Sequence, residues 1–176
     1  MNLTGPWDRA RVDEFLADAR IPVRVGCRTP AGDPWMVSLW FRWDGAVHCA
    51  TGADADVVGF LEADDRVSFE ISTNDPPYRG VRGRGRATVT DDDEKRLLRA
   101  LLERYLGGTD NDLAERLLRP EREEVHVRIE PERLHSWDFT DRMPARTGPN
   151  DSDPNDSASH GSEPNDSGPN DSNPAE

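Results

Sequence analysis

The 176-residue sequence predicts a mainly β chain with inserted helices, an antiparallel barrel rather than an open sheet. Three observations predict it. Apolar residues recur with a period of two in several separate runs, the signature of strands with one buried face. Short turns or short helical stretches join those runs, as antiparallel neighbours allow. So many strands leave unpaired edges, and closing the sheet hides them most simply.

Taken in order, the spacing first predicts an amphipathic helix over 8–19. Val12, Phe15, Leu16 and Ala19 share one face, and Asp8 is placed to cap the first turn. Pro22 ends it. Ile21, Val23, Val25 and Cys27 then alternate with Arg24, Gly26 and Arg28, a strand over 21–28 that the turn at 29–34 closes. Residues 35–43 read as one long strand. Trp35, Val37, Leu39, Phe41 and Trp43 form its core face, and Met36, Ser38, Trp40 and Arg42 form the other. That second face is too apolar for open water and too polar for a core, so a subunit or a flat ligand is expected against it.

Asp44-Gly45 is a hairpin turn leading to Val47, Cys49 and Thr51 on a third strand. A short helix follows over 54–62, then a strand over 66–72 with Val67, Phe69 and Ile71 inward. The next strand, 75–89, reads Asp-Pro-Pro-Tyr-Arg-Gly-Val-Arg-Gly-Arg-Gly-Arg-Ala-Thr-Val. Parity sends Tyr78, Gly80, Arg82, Arg84 and Arg86 one way, and Arg79, Val81, Gly83, Gly85 and Ala87 the other. Glycine weakens a strand unless a ligand or another backbone comes close, so the three glycines predict a close approach by one or the other.

An acidic turn at 90–94 opens a helix carrying Leu97, Leu98, Leu101, Leu102 and Leu106, which stops at Gly107-Gly108. A short helix over 111–118 comes next, then a strand over 124–130 and a last short one around His135, Trp137 and Phe139. Residues 1–146 are expected to form the folded domain. Residues 147–176, in which Pro-Asn-Asp-Ser recurs at 149, 154, 164 and 169, are expected to be a disordered acidic tail.

The formal net charge is −13. It argues against nucleic acid as the main partner, because like charge repels phosphate. Seven acids and no base lie after Arg146, which leaves 28 acids against 22 bases before it. Lys95 is the single lysine, and acid-rich, lysine-poor composition resembles the proteins of salt-loving organisms. Cys27 and Cys49 fall in apolar runs as buried free thiols, with no metal-ligand spacing. No stretch approaches the ~20 apolar residues of a membrane span, and no signal pattern opens the chain, so a cytoplasmic location without membrane contact is expected.

Pro34-Trp-Met-Val-Ser-Leu-Trp-Phe41, Ala50-Thr-Gly52, Asp65-Arg-Val-Ser-Phe69 and Pro76-Pro-Tyr-Arg-Gly-Val81, in that order and spacing, resemble the pyridoxamine 5'-phosphate oxidase-like split-barrel flavoproteins. The resemblance spans about residues 8–139. It implies a split β-barrel, antiparallel and Greek-key-like with peripheral helices, in a homodimer binding FMN or the deazaflavin coenzyme F-420 at the subunit interface. By position Met36, Ser38 and Trp40 would line the ring, Thr51 would offer a hydroxyl to phosphate, and Arg79 would supply the cation, with Tyr78 and Gly80 shaping the wall. One departure stands out. Relatives carry Lys or Arg just after the Thr51 position, and this chain has Asp54 and Asp56.

The implied activity is hydride transfer to or from a small-molecule substrate, with the cofactor doing the redox work. The alternatives are a split barrel that binds flavin or haem without turnover, and an interaction module using the Arg82, Arg84 and Arg86 stripe. No nucleophile–base pair is legible, so no catalytic residue is assigned. His48 and His126, on the opposite parity from their apolar neighbours, read as surface or interface histidines.

Overall fold

The computed structural model describes residues 1–143. The elements are β1 (Asn2–Thr4), α1 (Arg9–Asp18), β2 (Val23–Arg28), β3 (Pro34–Leu39), β4 (Phe41–Trp43), β5 (Val47–Gly52), α2 (Asp56–Ala63), β6 (Arg66–Ser72), β7 (Arg79–Asp91), α3 (Arg96–Leu106), α4 (Asp112–Leu117) and β8 (Glu124–Asp138). The expected tail at 147–176 lies outside the described residues.

One sheet runs in the order β3-β2-β6-β7-β8-β5-β4, with β1 added parallel to β8. All other pairings are antiparallel. The two ends of that path, β3 and β4, are consecutive in the chain and separated only by Trp40. The sheet is therefore curled back on itself by a covalent link, and β3 approaches β5 without pairing to it. This is a split barrel with peripheral helices, as expected.

The single strand expected over 35–43 is in fact two. Leu39 pairs with Val23 on one side of the barrel, and Phe41 pairs with Cys49 on the other. Its unbroken apolar face serves two different sheet edges, and alternation alone cannot show where a strand changes partner. Phe41 is fully buried, whereas Trp35, Val37 and Leu39 are half-buried, Trp35 lying edge-on to Phe60 of α2.

Asp8 caps α1 as expected, accepting from the Arg11 amide at 2.8 Å. The acidic stretch at 90–94 behaves differently. β7 continues through Asp91, and α3 begins only at Arg96, where the Asp92 carboxylate accepts from the amides of Arg96, Leu97 and Leu98. The last two expected strands are one, β8, and β1 had no period to reveal it.

The main core gathers Val12 and Leu16 of α1 with Val23, Val25, Phe41, Ile71, Val81, Val127, Ile129 and Leu134 of the barrel, all at most 2% exposed. Each such side chain contributes roughly 1.5–3 kcal/mol relative to exposure. A smaller cluster, Leu98, Leu102 and Ala114, packs beneath Trp40, Ala50 and Leu117 and fastens α3 and α4 to the barrel wall.

Candidate functional site

The outer face of β2, β3, β6 and β7 is a trough. Two cavities of about 560 and 540 Å³ share Gly26, Met36, Ser68 and Arg84. Met36 is 68% exposed at its rim, an unusual state for a long apolar side chain. Arginines crowd the walls, and many are already paired. Arg66 binds Asp64 and holds that carboxyl down to about 2. Arg24 reaches Asn74 at 2.7 Å, and Arg86, which lines neither cavity, bridges Asp65 and Glu132. Arg84 and Arg133 face each other across the β7–β8 ladder, and among the described residues neither has an ion-pair partner.

A second, smaller cleft of about 210 Å³ lies at the far end of β3. It is lined by Ser38, Trp40, Thr51, Leu98, Leu117, Arg122 and Glu124, among others. Trp40 turns the corner between the two sheet edges and stacks on Tyr105 of α3, with ring centroids 5.2 Å apart and planes 12° from parallel. Tyr105 in turn receives the Phe41 amide at 3.2 Å and donates to the Ile21 carbonyl at 3.3 Å, so the corner is held by two hydrogen bonds to backbone. Thr51 sits on β5 opposite Val125 of β8. Among the described residues, the hydroxyls of Ser38 and Thr51 have no hydrogen-bond partner within the protein. Arg122 Nε donates to the carboxylate of Glu124, whose side chain is 1% exposed.

The third group of expected site residues is elsewhere. Tyr78 closes a loop with a cis Pro76–Pro77 bond, and Arg79 and Gly80 start β7. Tyr78 is 39% exposed. Arg79 stands opposite Asp138, and its Nε is buried without a partner. Burial raises the Asp138 carboxyl, but hydrogen bonds from Thr140 and Trp7 and the charge of Arg79 outweigh it and leave the group below its ordinary value. Thr51 and Asp91 both pair with Val125, at the opposite end of the β7–β8 ladder. At about 3.3 Å per step, the thirteen residues from Arg79 to Asp91 make roughly 40 Å of strand path.

The structure thus brings Ser38, Trp40 and Thr51 to one cleft and sets Met36 on the same outward face of β3, in the trough. It does not bring Tyr78, Arg79 and Gly80 to them within one chain. Sequence reading missed Arg122 and Glu124. They lie some seventy residues from Thr51 in sequence, in a stretch whose charges look like any solvated loop.

The glycines of β7 admit neighbouring strands, the second of the two occupants expected. A side chain on Gly80 would meet Ile71 and Ser72, one on Gly83 would meet Phe69 and Arg133, and one on Gly85 would meet Glu130. The close approach is made by neighbouring strands of the same sheet. His48, expected on the surface, is 7% exposed beneath Asp44 and His126 and takes no part in either cavity. Among the described residues no cluster of His, Cys, Asp or Glu could hold a metal ion, and no helix is long and apolar enough to cross a membrane.

No protein-family model matches the chain, and no curated relative matches it. Solved structures do. The chain is similar to a conserved hypothetical protein from Mycobacterium tuberculosis, 26% identical over 76% of this chain and 86% of that one, with a TM-score of 0.63. It is similar to an F420 reductase, 21% identical over 69% of this chain and 94% of that one, TM-score 0.58. It is also similar to an FAD-binding protein from Mesorhizobium loti, 18% identical over 74% and 93%, TM-score 0.53. The chain shares its split-barrel fold with these structures.

Proposed function

We propose that the chain binds FMN, or alternatively a deazaflavin coenzyme, along the outward face of β3, and that it uses the cofactor as an oxidoreductase acting on a small molecule. One observation carries the reading. Met36 and Ser38 lie on the outward face of β3 and Trp40 follows directly after its end, so β3 leads from a large open trough to a small cleft that holds two hydroxyls and a guanidinium. A flavin has the same division, a flat apolar ring at one end and a phosphate at the other.

The residues present fit such a group. Two unpartnered hydroxyls, Ser38 and Thr51, share the cleft with a guanidinium, a donor set suited to phosphate oxygens. Exposed Met36 offers a polarizable apolar surface for a ring. Trp40 shapes the cleft from a fixed position, because Tyr105 and the small core under α3 hold its ring. The bound cofactor would supply hydride transfer, and the chain would supply position and exclusion of water. The F420 reductase and the FAD-binding protein that share this fold support a flavin-type cofactor.

Tyr78, Arg79 and Gly80 belong to this reading only if a second copy supplies them, and for that reason a homodimer is part of the proposal. Arg79, with its buried, unpartnered Nε, would then meet the cofactor of the neighbouring chain.

The test is what the full chain carries and binds. Purified protein is expected to show a flavin absorbance band, or to change the spectrum and fluorescence of added FMN or deazaflavin coenzyme. Folded protein that stays colourless and alters neither cofactor's spectrum would sink the reading. Reduction by NAD(P)H or by reduced deazaflavin then separates an oxidoreductase from a carrier.

A further inference from the structure

We infer that Arg122 is the cation that binds the 5'-phosphate of the cofactor's ribityl chain, taking the place of the base missing after Thr51. This rests on the proposed flavin-type reading and names the residue at its phosphate end.

The need for such a residue comes from the connection between β5 and α2. Residues 52–58 contain Asp54 and Asp56 and no base, so nothing in that connection offsets a phosphate dianion. Arg122 supplies the offset from the other side of the barrel wall, since β8 pairs directly with β5 and the residue lies two positions before Glu124, the partner of Gly52.

Its placement is specific. The Nε of Arg122 is engaged by Glu124, and Glu124 is buried, so the guanidinium plane is fixed from behind. The two terminal nitrogens remain, and a guanidinium held through Nε presents them together to a two-oxygen acceptor. Gly52 makes the approach possible. A Cβ there would lie 2.7 Å from Oδ1 of Asp54, 3.0 Å from Nη2 and 3.3 Å from Cζ of Arg122, so both side chains cross the bare face of that glycine. Beyond it is the cleft with the free hydroxyls of Ser38 and Thr51. An adjoining cavity of about 460 Å³ is lined by Arg116, Arg119 and Arg122 together with Asp54, Glu121 and Glu123, so Asp54 does not face the cleft as an unbalanced negative charge.

FMN and a deazaflavin coenzyme both carry this phosphate, and riboflavin lacks it. The experiment compares the affinity of the full chain for FMN and for riboflavin, read by flavin fluorescence or calorimetry. The unmodified chain is expected to favour FMN by about 10- to 100-fold, as a charge-assisted contact of this kind provides. Arg122→Gln should reduce that preference to near unity while leaving riboflavin binding unchanged. Removing Arg122 alone strands a buried carboxylate. The double variant Arg122→Gln/Glu124→Gln, which leaves no unpaired charge, is therefore measured beside it, with circular dichroism as the check on folding.

If either folded Arg122 variant keeps the FMN preference of the unmodified chain, the assignment is wrong and the cofactor reading stands. The same holds if Arg79→Ala, and not Arg122→Gln, removes the preference. If the unmodified chain binds neither FMN nor riboflavin, the comparison is repeated with the deazaflavin coenzyme and its phosphate-free fragment. Binding of neither pair overturns the cofactor reading and this assignment with it.

Discussion

His48 Nδ1 lies 2.8 Å from His126 Nε2 across the β5–β8 pairing, and the other face of the same imidazole, Nε2, lies 2.7 Å from Asp44 Oδ1. An ionised carboxylate only accepts, so His48 carries its proton on Nε2, and His126 donates from its own Nε2. The three residues form one directional chain from the β4–β5 turn to β8. Burial first, and the neighbouring His48 second, hold His126 below the ordinary imidazole value of 6.5.

The sign of the resulting pH dependence is fixed. A base whose folded value is depressed binds its proton better in the unfolded chain, so its stabilising effect is present above about pH 6.5 and is lost as the pH falls through the folded value. Asp44 acts in the same direction at lower pH. Burial raises its carboxyl, the hydrogen bond from His48 and the charge of Arg42 outweigh that, and the net shift is downward from 3.8. Thermal unfolding followed from about pH 8 to about pH 5 should show a falling midpoint below about 6.5, and His126→Gln should flatten that part of the profile. An unchanged slope in the variant would assign the acid sensitivity to other groups.

Gly85→Ala should destabilise the barrel by about 1–3 kcal/mol, because the new methyl would fall on the Glu130 carbonyl at the β7–β8 bulge. Gly59→Ala is the contrasting substitution. Gly59 is exposed within α2 and a methyl there meets nothing within 4 Å, so it should stabilise by roughly 0.5–1 kcal/mol. Urea unfolding of the two variants reads both numbers.

Those glycines show how far the sequence could be read. Arg82, Arg84 and Arg86 point outward and Val81 and Ala87 inward, as strict alternation requires, so the faces of β7 were legible. That the glycines accommodate Phe69 and the backbones of β6 and β8, and not a ligand, was not legible, because a missing side chain does not say what fills its space. The same limit applies to the site. Ser38, Trp40 and Thr51 meet in one cleft because strand parity and turn chemistry place them there. Arg122 enters it through a pairing of β5 with β8, a contact across some seventy residues that no local pattern encodes.

Tyr105→Phe should cost about 1–3 kcal/mol, since the Phe41 amide loses its acceptor inside the barrel wall. The variant should also loosen the Trp40 corner, and a drop in tryptophan emission anisotropy or a shift in its maximum would report it. A Tyr105→Phe protein as stable as the original would show that the corner is held by stacking alone.

The two thiols should react in a fixed order. Burial pushes both Cys27 and Cys49 above the ordinary thiol value, Cys49 much further. Cys27 lines the larger cavity of the trough, and Cys49 is fully enclosed in the core. Under native conditions a disulfide reagent should titrate Cys27 slowly and leave Cys49 untouched until the chain is unfolded. Early labelling of Cys49 would mean that the barrel opens locally at β5.

β8 pairs with β1, β5 and β7, and it is the last strand among the described residues. During synthesis, three strands must therefore wait for one that leaves the ribosome after all of them. Until then β2, β3, β6 and β7 can form a hairpin-linked sheet with one side open, and the N-terminal strand has nothing to hold it. The closed sheet therefore forms only once β8 is available. Fragments ending before Glu124 should be substrates for proteases and chaperones rather than partly working proteins.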